Sequence, residues 1–232
     1  MKPIPEMREP ERYAGVDFTS EEFIELRSNE YFEIAMQYPL LGMDNAESQC
    51  FVRKEVYERL IEAAHSLPKG YKFKILDAWR PFALQKELFV KYSDDIIKEF
   101  ELEECSDEQK KVVICKFVSD PIDDIIIPPV HTTGGAIDLT IIDENGKELD
   151  MGSEFDEFTN RTYTCFYENE KDDTIRDNRR LLYNIMTEVG FTNLPSEWWH
   201  FDYGDRFWAF YNETPAKYEG VFTKEEVYEA TR

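Results

Sequence analysis

The sequence predicts an α+β fold, on three observations. Two short segments carry the alternation and β-branched content of strands, several longer ones repeat apolar residues at helical spacing, and the two kinds follow one another without regular βαβ alternation. The arrangement expected is a small central antiparallel or mixed sheet flanked by helices. A chain of 232 residues suffices for one elaborated domain with a sizeable core. Hydrophobic residues at 42% and aromatics at 15% place it among packed globular proteins, not disordered ones.

Taken in order, the proline-rich start MKPIPEMREP reads as part of an extended arm over about residues 1–20, laid on the surface. Over residues 53–67, Val56, Leu60, Ile61 and Ala64 recur at helical spacing, and Pro68 and Gly70 end the segment. "YKFKILD" sets Tyr71, Phe73 and Ile75 against Lys72 and Lys74, a strand with one wet face. Arg80 precedes Pro81, which disfavours helical torsions at the arginine and suits the start of a following helix, so Arg80 falls at a strand-to-helix junction. Helical patterns follow over 82–100 and 107–118, with charged outer faces. "AIDLTII" reads as a strand over 136–142, reached through Gly134 and Gly135, and Asp143 to Gly146 supply a turn. A last amphipathic helix over 178–189 stops at Gly190.

Acidic residues outnumber basic ones by 49 to 27, for a net charge of −22, and no Lys/Arg cluster could neutralise a row of phosphates. Nucleic acid is excluded as a partner on that ground. Anionic polymers and membranes are repelled too, whereas a small zwitterion of zero net charge is not. No stretch reaches the ~18 to 20 apolar residues of a membrane span, and the N-terminus has no signal-peptide core, so a cytoplasmic protein is expected. Cys50, Cys105, Cys115 and Cys165 form no C-x-x-C pair, and four reduced, mostly buried thiols are expected.

The chain has three histidines. His65 belongs to the 53–67 helix as a surface or boundary residue. The other two stand near carboxylates: His131 and Asp138 in "HTTGGAIDLT", Glu197 and His200 in "LPSEWWH". Two imidazoles and one carboxylate are the ligand set of a catalytic zinc site with an open fourth position, and a second carboxylate beside it can act as general base. Spacing alone favours a structural role for each residue taken singly. Two features favour a site: the glycine pair allows close approach of chain or ligand, and Asp138 interrupts an apolar strand, where a carboxylate needs a partner. Arg80 is either the ion-pair partner of Asp77 or a fixed donor toward an oxyanion. Pro195 and the alternation of "HFDYG" predict an irregular approach to a strand, bent so that Glu197 and His200 converge, with Trp198 and Trp199 as packing walls.

Four ordered blocks, "DAWRP", "HTTGGAIDLT", "MGSEFDEF" and "NRRLLYNIMTEVGF" with "EWWH", together resemble the D-alanyl-D-alanine dipeptidases, the VanX-like zinc peptidases related to D-Ala-D-Ala carboxypeptidases and to the hedgehog fold. The resemblance spans residues 72–203, the motif-bearing core of what reads as one zinc peptidase domain over 1–232. It implies one Zn2+ per chain held by His131, Asp138 and His200, with Glu197 as the base that activates water. It implies that Arg80 stabilises the tetrahedral intermediate and that Asp156 binds the free amino group of a small dipeptide, which would select dipeptides over longer chains. The expected reaction is hydrolysis of D-alanyl-D-alanine to two D-alanines. A related zinc D,D-carboxypeptidase, a broader dipeptidase and a non-catalytic zinc module are the alternatives. Two positions depart from the family pattern: Pro129 stands where a substrate-holding serine is usual, and Arg27-Ser28 stands for an Arg-Tyr pair. Both departures bear on the grip on substrate and leave the metal and base untouched.

Overall fold

The structure, a computed structural model, describes residues 1–11 and 15–231. Residues 12–14 of the expected arm therefore lie outside the described residues. In chain order the elements are β1 (Phe23–Leu26), β2 (Phe32–Ile34), α1 (Gln37–Leu40), β3 (Cys50–Arg53), α2 (Lys54–Ala64), β4 (Lys72–Asp77), α3 (Phe82–Glu99), α4 (Asp107–Ile114), β5 (Ala136–Ile142), α5 (Asp173–Glu188), β6 (Thr192–Asn193), β7 (His200–Asp202), α6 (Arg206–Asn212) and α7 (Lys224–Glu229). The fold is α+β, as the order of patterns predicts.

Five strands form the central sheet in the order β2-β4-β5-β7-β6, with β2 parallel to β4 and the other pairs antiparallel. β1 and β3 pair separately. β4 keeps the alternation of its sequence: Phe73 and Ile75 are fully buried, while Lys74 reaches out to Glu148 at 2.6 Å. β5, at the centre, is buried at all seven positions, which explains its almost unbroken apolar run. On one side, Val56, Leu60 and Ala63 of α2 and Leu182, Ile185 and Met186 of α5 share a core with Phe73, Ile75, Leu139, Ile141 and Phe201 of the sheet. A second core joins Leu84, Leu88, Tyr92 and Ile96 of α3 to Ile114, Phe117 and Tyr38.

The glycine pair before β5 sits where the chain is tightest. Gly134 has φ +73, and a Cβ there would come within 2.3 Å of the Phe23 ring; one on Gly135 would lie 2.5 Å from the Tyr203 carbonyl oxygen. Close approach of chain to chain is thus the reason for both residues.

Three local expectations change. α5 begins at Asp173 because Asp172 caps it, accepting from the amides of Thr174 and Ile175, ahead of the first apolar repeat. α4 stops at Ile114, and the chain to Val118 continues as tight turns. Of the four thiols only Cys50 is buried; Cys105 and Cys165 are partly exposed and Cys115 is exposed, so the expectation of mostly buried thiols fails. Their positions on loops and at the helix end beyond α4 put them outside the packed faces. Among the described residues no helix is long and apolar enough to cross a membrane.

Arg179 of α5 ties down the long connection after β5. It is buried, and its guanidinium donates to the carbonyls of Met151 (2.7 Å), Tyr163 (2.6 Å) and Arg161 (2.6 Å). Replacing it with methionine keeps the bulk and strands three acceptors, so Arg179→Met is predicted to lose about 3 kcal/mol of stability. Urea unfolding of the parent and the variant measures it.

Candidate active site

The site begins as a matter of strand register. Antiparallel pairing sets Asp138 of β5 opposite His200 of β7 on one side and Asp77 of β4 on the other. A bulge in β4 between Ile75 and Asp77 permits the second match. His131 arrives from the turn before the glycine pair, a 3-10 segment spanning Val130–Thr133.

His131 Nε2 lies 3.2 Å from His200 Nδ1 and 3.4 Å from Asp138 Oδ2, and His200 Nδ1 lies 3.0 Å from Asp138 Oδ1. The far nitrogen of each ring is already engaged: His131 Nδ1 with the Ala78 carbonyl at 2.8 Å, His200 Nε2 with Asp202 Oδ1 at 2.8 Å. Those partners orient the rings so that one nitrogen of each, with a carboxylate oxygen, faces a common point. Among the described residues these three form the group of side chains able to hold a metal ion, all with ligand atoms within 4.8 Å of one another. The donor set, two nitrogens and one carboxylate oxygen, fits a divalent transition metal such as zinc.

Glu197 stands beside this triad, its Oε2 3.7 Å from His200 Nδ1. A turn carries it there. The Glu197 amide donates to Leu194 O at 3.0 Å and the His200 amide to Glu197 O at 3.3 Å. Asn193 Nδ2 staples the same turn through the carbonyls of Glu197 and His200, at 3.0 and 2.9 Å. The bent approach to β7 is as expected, and it brings both side chains to one side. The two tryptophans reach further than the bend. Trp198 Nε1 donates to Ser153 Oγ at 2.9 Å and Trp199 packs edge-on against Phe155, so both brace the loop that carries Asp156.

Arg80 makes the ion pair of its first reading. Its Nε donates to Asp77 Oδ2 at 2.9 Å and its Nη1 to Gln85 Oε1 at 2.7 Å, while Nη2 reaches to 3.8 Å from Asp138 Oδ2. Nη2 also donates to the Tyr38 hydroxyl at 3.2 Å, and that hydroxyl donates to Asp156 Oδ2 at 3.0 Å. Asp156 itself has φ +57, a left-handed conformation costly for a residue with a side chain. One cavity of about 270 Å³ is lined by Arg80, His131, Asp138, Asp156, Glu197 and His200, with Tyr38 and Tyr92 between them. All six candidates therefore meet at a single hollow. His65 does not; it lies exposed on α2's end, against Tyr31.

Burial pushes the Asp138 carboxyl up, but His131 and His200 outweigh it and hold it well below the usual carboxylate range. Burial opposes charge on His200 as well, and Asp202 and Asp138 reverse that, raising the imidazole well above its ordinary value. Burial, helped by Asp138 and Asp156, raises Glu197 far above a free glutamate. Asp156 is pushed to about 7 by burial and by Asp138, against Arg80 and hydrogen bonds from Tyr38 and Tyr92.

Sequence reading missed Tyr38, Tyr92, Asn193 and Asp202. It also misplaced a departure: Ser28 lies exposed on a loop, its Oγ accepting from the Ile34 amide at 2.9 Å, away from the cavity. The tyrosine hydroxyl at the site comes instead from α1. Pro129 precedes the His131 turn and shapes it through its carbonyl, which accepts from the Thr132 amide at 3.0 Å.

A family model described as D-ala-D-ala dipeptidase, of the M15 peptidases, matches residues 40–219. A D-alanyl-D-alanine dipeptidase of Synechocystis sp. (strain ATCC 27184 / PCC 6803 / Kazusa) is 31% identical over 195 residues, covering 76% of this chain and 79% of the relative. One of Escherichia coli (strain K12) is 32% identical over 157 residues, covering 67% of this chain and 68% of the relative.

The raised Asp156 has a consequence for stability. An unfolded chain releases this proton near 3.8, the folded metal-free protein near 7, so between those values the folded state binds more protons and stability falls as pH rises. Asp156→Asn removes that loss. Its advantage over the parent is predicted to grow from nothing at pH 4 to about 3 kcal/mol at pH 7.5, below the full linkage because the carboxyl touches cavity solvent. Urea unfolding of both metal-free proteins across that range tests the sign.

Proposed function

The chain belongs to the D-Ala-D-Ala dipeptidase family of peptidases, and from that premise we propose that it hydrolyses D-alanyl-D-alanine to two D-alanines, with zinc held by His131, Asp138 and His200. The observation that carries the reading is the position of Glu197: a carboxyl group 3.7 Å from a ligand nitrogen, facing the same cavity, and outside the triad. A metal used only as a staple needs no such neighbour. When bound, zinc supplies Lewis acidity at the peptide carbonyl and lowers the pKa of water in its open position toward ~7.

The chain's own residues do the rest. Glu197 takes the proton of the attacking water and returns it to the leaving amine. Its raised proton affinity, drawn back toward neutrality beside a cation, suits a group that must do both. Arg80, fixed by Asp77 and Gln85 and with Nη2 against Tyr38, lines the cavity as a held cation that stabilises the oxyanion formed as water adds. Asp156, steadied by Tyr38, accepts the ammonium of the substrate. A cavity of about 270 Å³ lies just below the roughly 300–1,000 Å³ of drug-sized ligand pockets and suits a dipeptide. The same chemistry extends to other small D,D-dipeptides with a free amine.

Zinc-loaded protein is predicted to cleave D-Ala-D-Ala and to reject N-acetyl-D-Ala-D-Ala and L-Ala-L-Ala in an assay that counts free alanine of either configuration. Glu197→Ala should lower kcat by about 10²- to 10⁴-fold with zinc still stoichiometric by metal analysis. An active variant, or preference for the acetylated peptide, would sink the proposal. Metal binding should also depend on pH. His200 carries its proton above its ordinary range in the metal-free protein, so binding must displace it, and zinc affinity is predicted to rise about tenfold per pH unit near neutrality. Calorimetry in two buffers of different ionisation enthalpy counts the released proton.

A further inference from the structure

The N-terminal arm is fastened at several points. Ile4 is buried and its amide donates to Glu168 Oε1 at 2.9 Å, a carboxylate also held by Arg180 Nε at 2.8 Å. Asn184 of α5 donates to Lys2 O at 3.0 Å, and Tyr211 of α6 to Arg8 O at 2.8 Å, with the Arg8 guanidinium 4.4 Å over the Phe210 ring. Farther along, the Ala216 amide donates to Gly15 O at 3.0 Å. Between these anchors Glu9 and Pro10 reach the wall of the active-site cavity, where burial pushes the Glu9 carboxyl up to about 7 against the pull of Lys116.

On the other side of Pro10 lies a second hollow of about 420 Å³ between α4 and α6. Pro10, Val112, Cys115, Ser119 and Phe207 line both spaces, so the arm stands in the partition between them. None of the six site residues lines the outer hollow, nor do Tyr38 and Tyr92. The arm therefore closes the cavity on the side that faces the outer hollow, where none of the site residues stands. The family match begins at residue 40, so this wall lies outside the matched region.

We propose that Glu9 and Pro10 determine substrate length: they cut a longer groove to a dipeptide-sized chamber by closing the end that receives the substrate's C-terminal residue. The inference rests on the dipeptidase reading above, with the substrate's amine at Asp156. A peptide that starts there and runs past the metal ligands meets Pro10 where a third residue would lie. Length is then policed at two ends by different means. Asp156 excludes a blocked amine by its need for an ammonium, and the arm excludes an added C-terminal residue by occupying its space.

The test compares the zinc-loaded full chain, the full chain carrying Glu9→Gly with Pro10→Gly, and a chain lacking residues 1–11, on D-Ala-D-Ala, D-Ala-D-Ala-D-Ala and N-acetyl-D-Ala-D-Ala. The parent should favour the dipeptide. In both altered proteins the ratio of tripeptide to dipeptide kcat/KM should rise at least tenfold, while the acetylated peptide stays rejected. A ratio within twofold of the parent's in the double variant overturns the assignment and leaves the dipeptidase reading intact. Gain on the acetylated peptide overturns it too, because the arm would then close the amine end. A parent that hydrolyses none of the three peptides overturns both. If the shortened chain loses its cooperative thermal transition, the double variant decides alone.

Discussion

Five buried carboxyl groups, Asp77, Asp138, Glu197, Asp202 and Asp205, lie around the two histidines, with Asp156 facing the same cavity. Against them, at the cavity, stand the Arg80 guanidinium and the imidazoles of His131 and His200. Unpaired charge is too costly to bury, so this excess dictates the local structure. Part of it is eased at Asp205, whose proton affinity burial and Asp202 together push well above its ordinary value. Part is removed by Arg80, which faces Asp77 and Asp138 at once. What remains is concentrated where three ligand atoms converge, and a divalent cation is the group whose charge answers it.

The same constraint orders the surrounding residues into rigid chains. From His200 Nε2 the contacts pass to Asp202 and on to Asp205, whose Oδ1 accepts from the amides of Phe207 and Trp208 and so caps α6. From Arg80 they pass through Gln85 to the Ser119 carbonyl at 2.7 Å, and through Tyr38 to Asp156. A histidine held through a helix cap and an arginine held by two side chains have little room to reorient, which suits the roles proposed for them.

How much of this the sequence discloses depends on whether a residue's partner is near in the chain. β5 is legible to its bounds because β-branched residues fill it and the glycine pair marks its start. Asp138 was conspicuous as a carboxylate in an apolar run, and Glu197 with His200 as a short pairing in a chain with three histidines. Asp202 was legible in principle, since residues two apart in a strand share a face and "HFD" sets a carboxylate beside the histidine. Tyr38 and Tyr92 were not. They are two of 13 tyrosines, they stand on α1 and α3, and only the packing of those helices brings them to Asp156. The Ser28 comparison failed for the same reason: it matched a position along the chain, while the hydroxyl that matters is delivered by a different element.

Positive charge therefore has two separate roles at this site. Arg80 is covalently part of the chain and neutralises Asp77 whether or not a metal is present, so the sheet register that builds the triad does not wait for the ion. A metal held at the triad would answer only the negative charge left by that pairing, beside a turn already fixed by Asn193 and a loop braced by Arg179 and Trp198. The surface field has the same sign. A net charge of −22 draws cations inward and tolerates a zwitterion, while it repels anions of greater charge. Under the proposed function, selection would begin outside the cavity, on charge, and be completed inside it on the state of the amine and the length of the peptide.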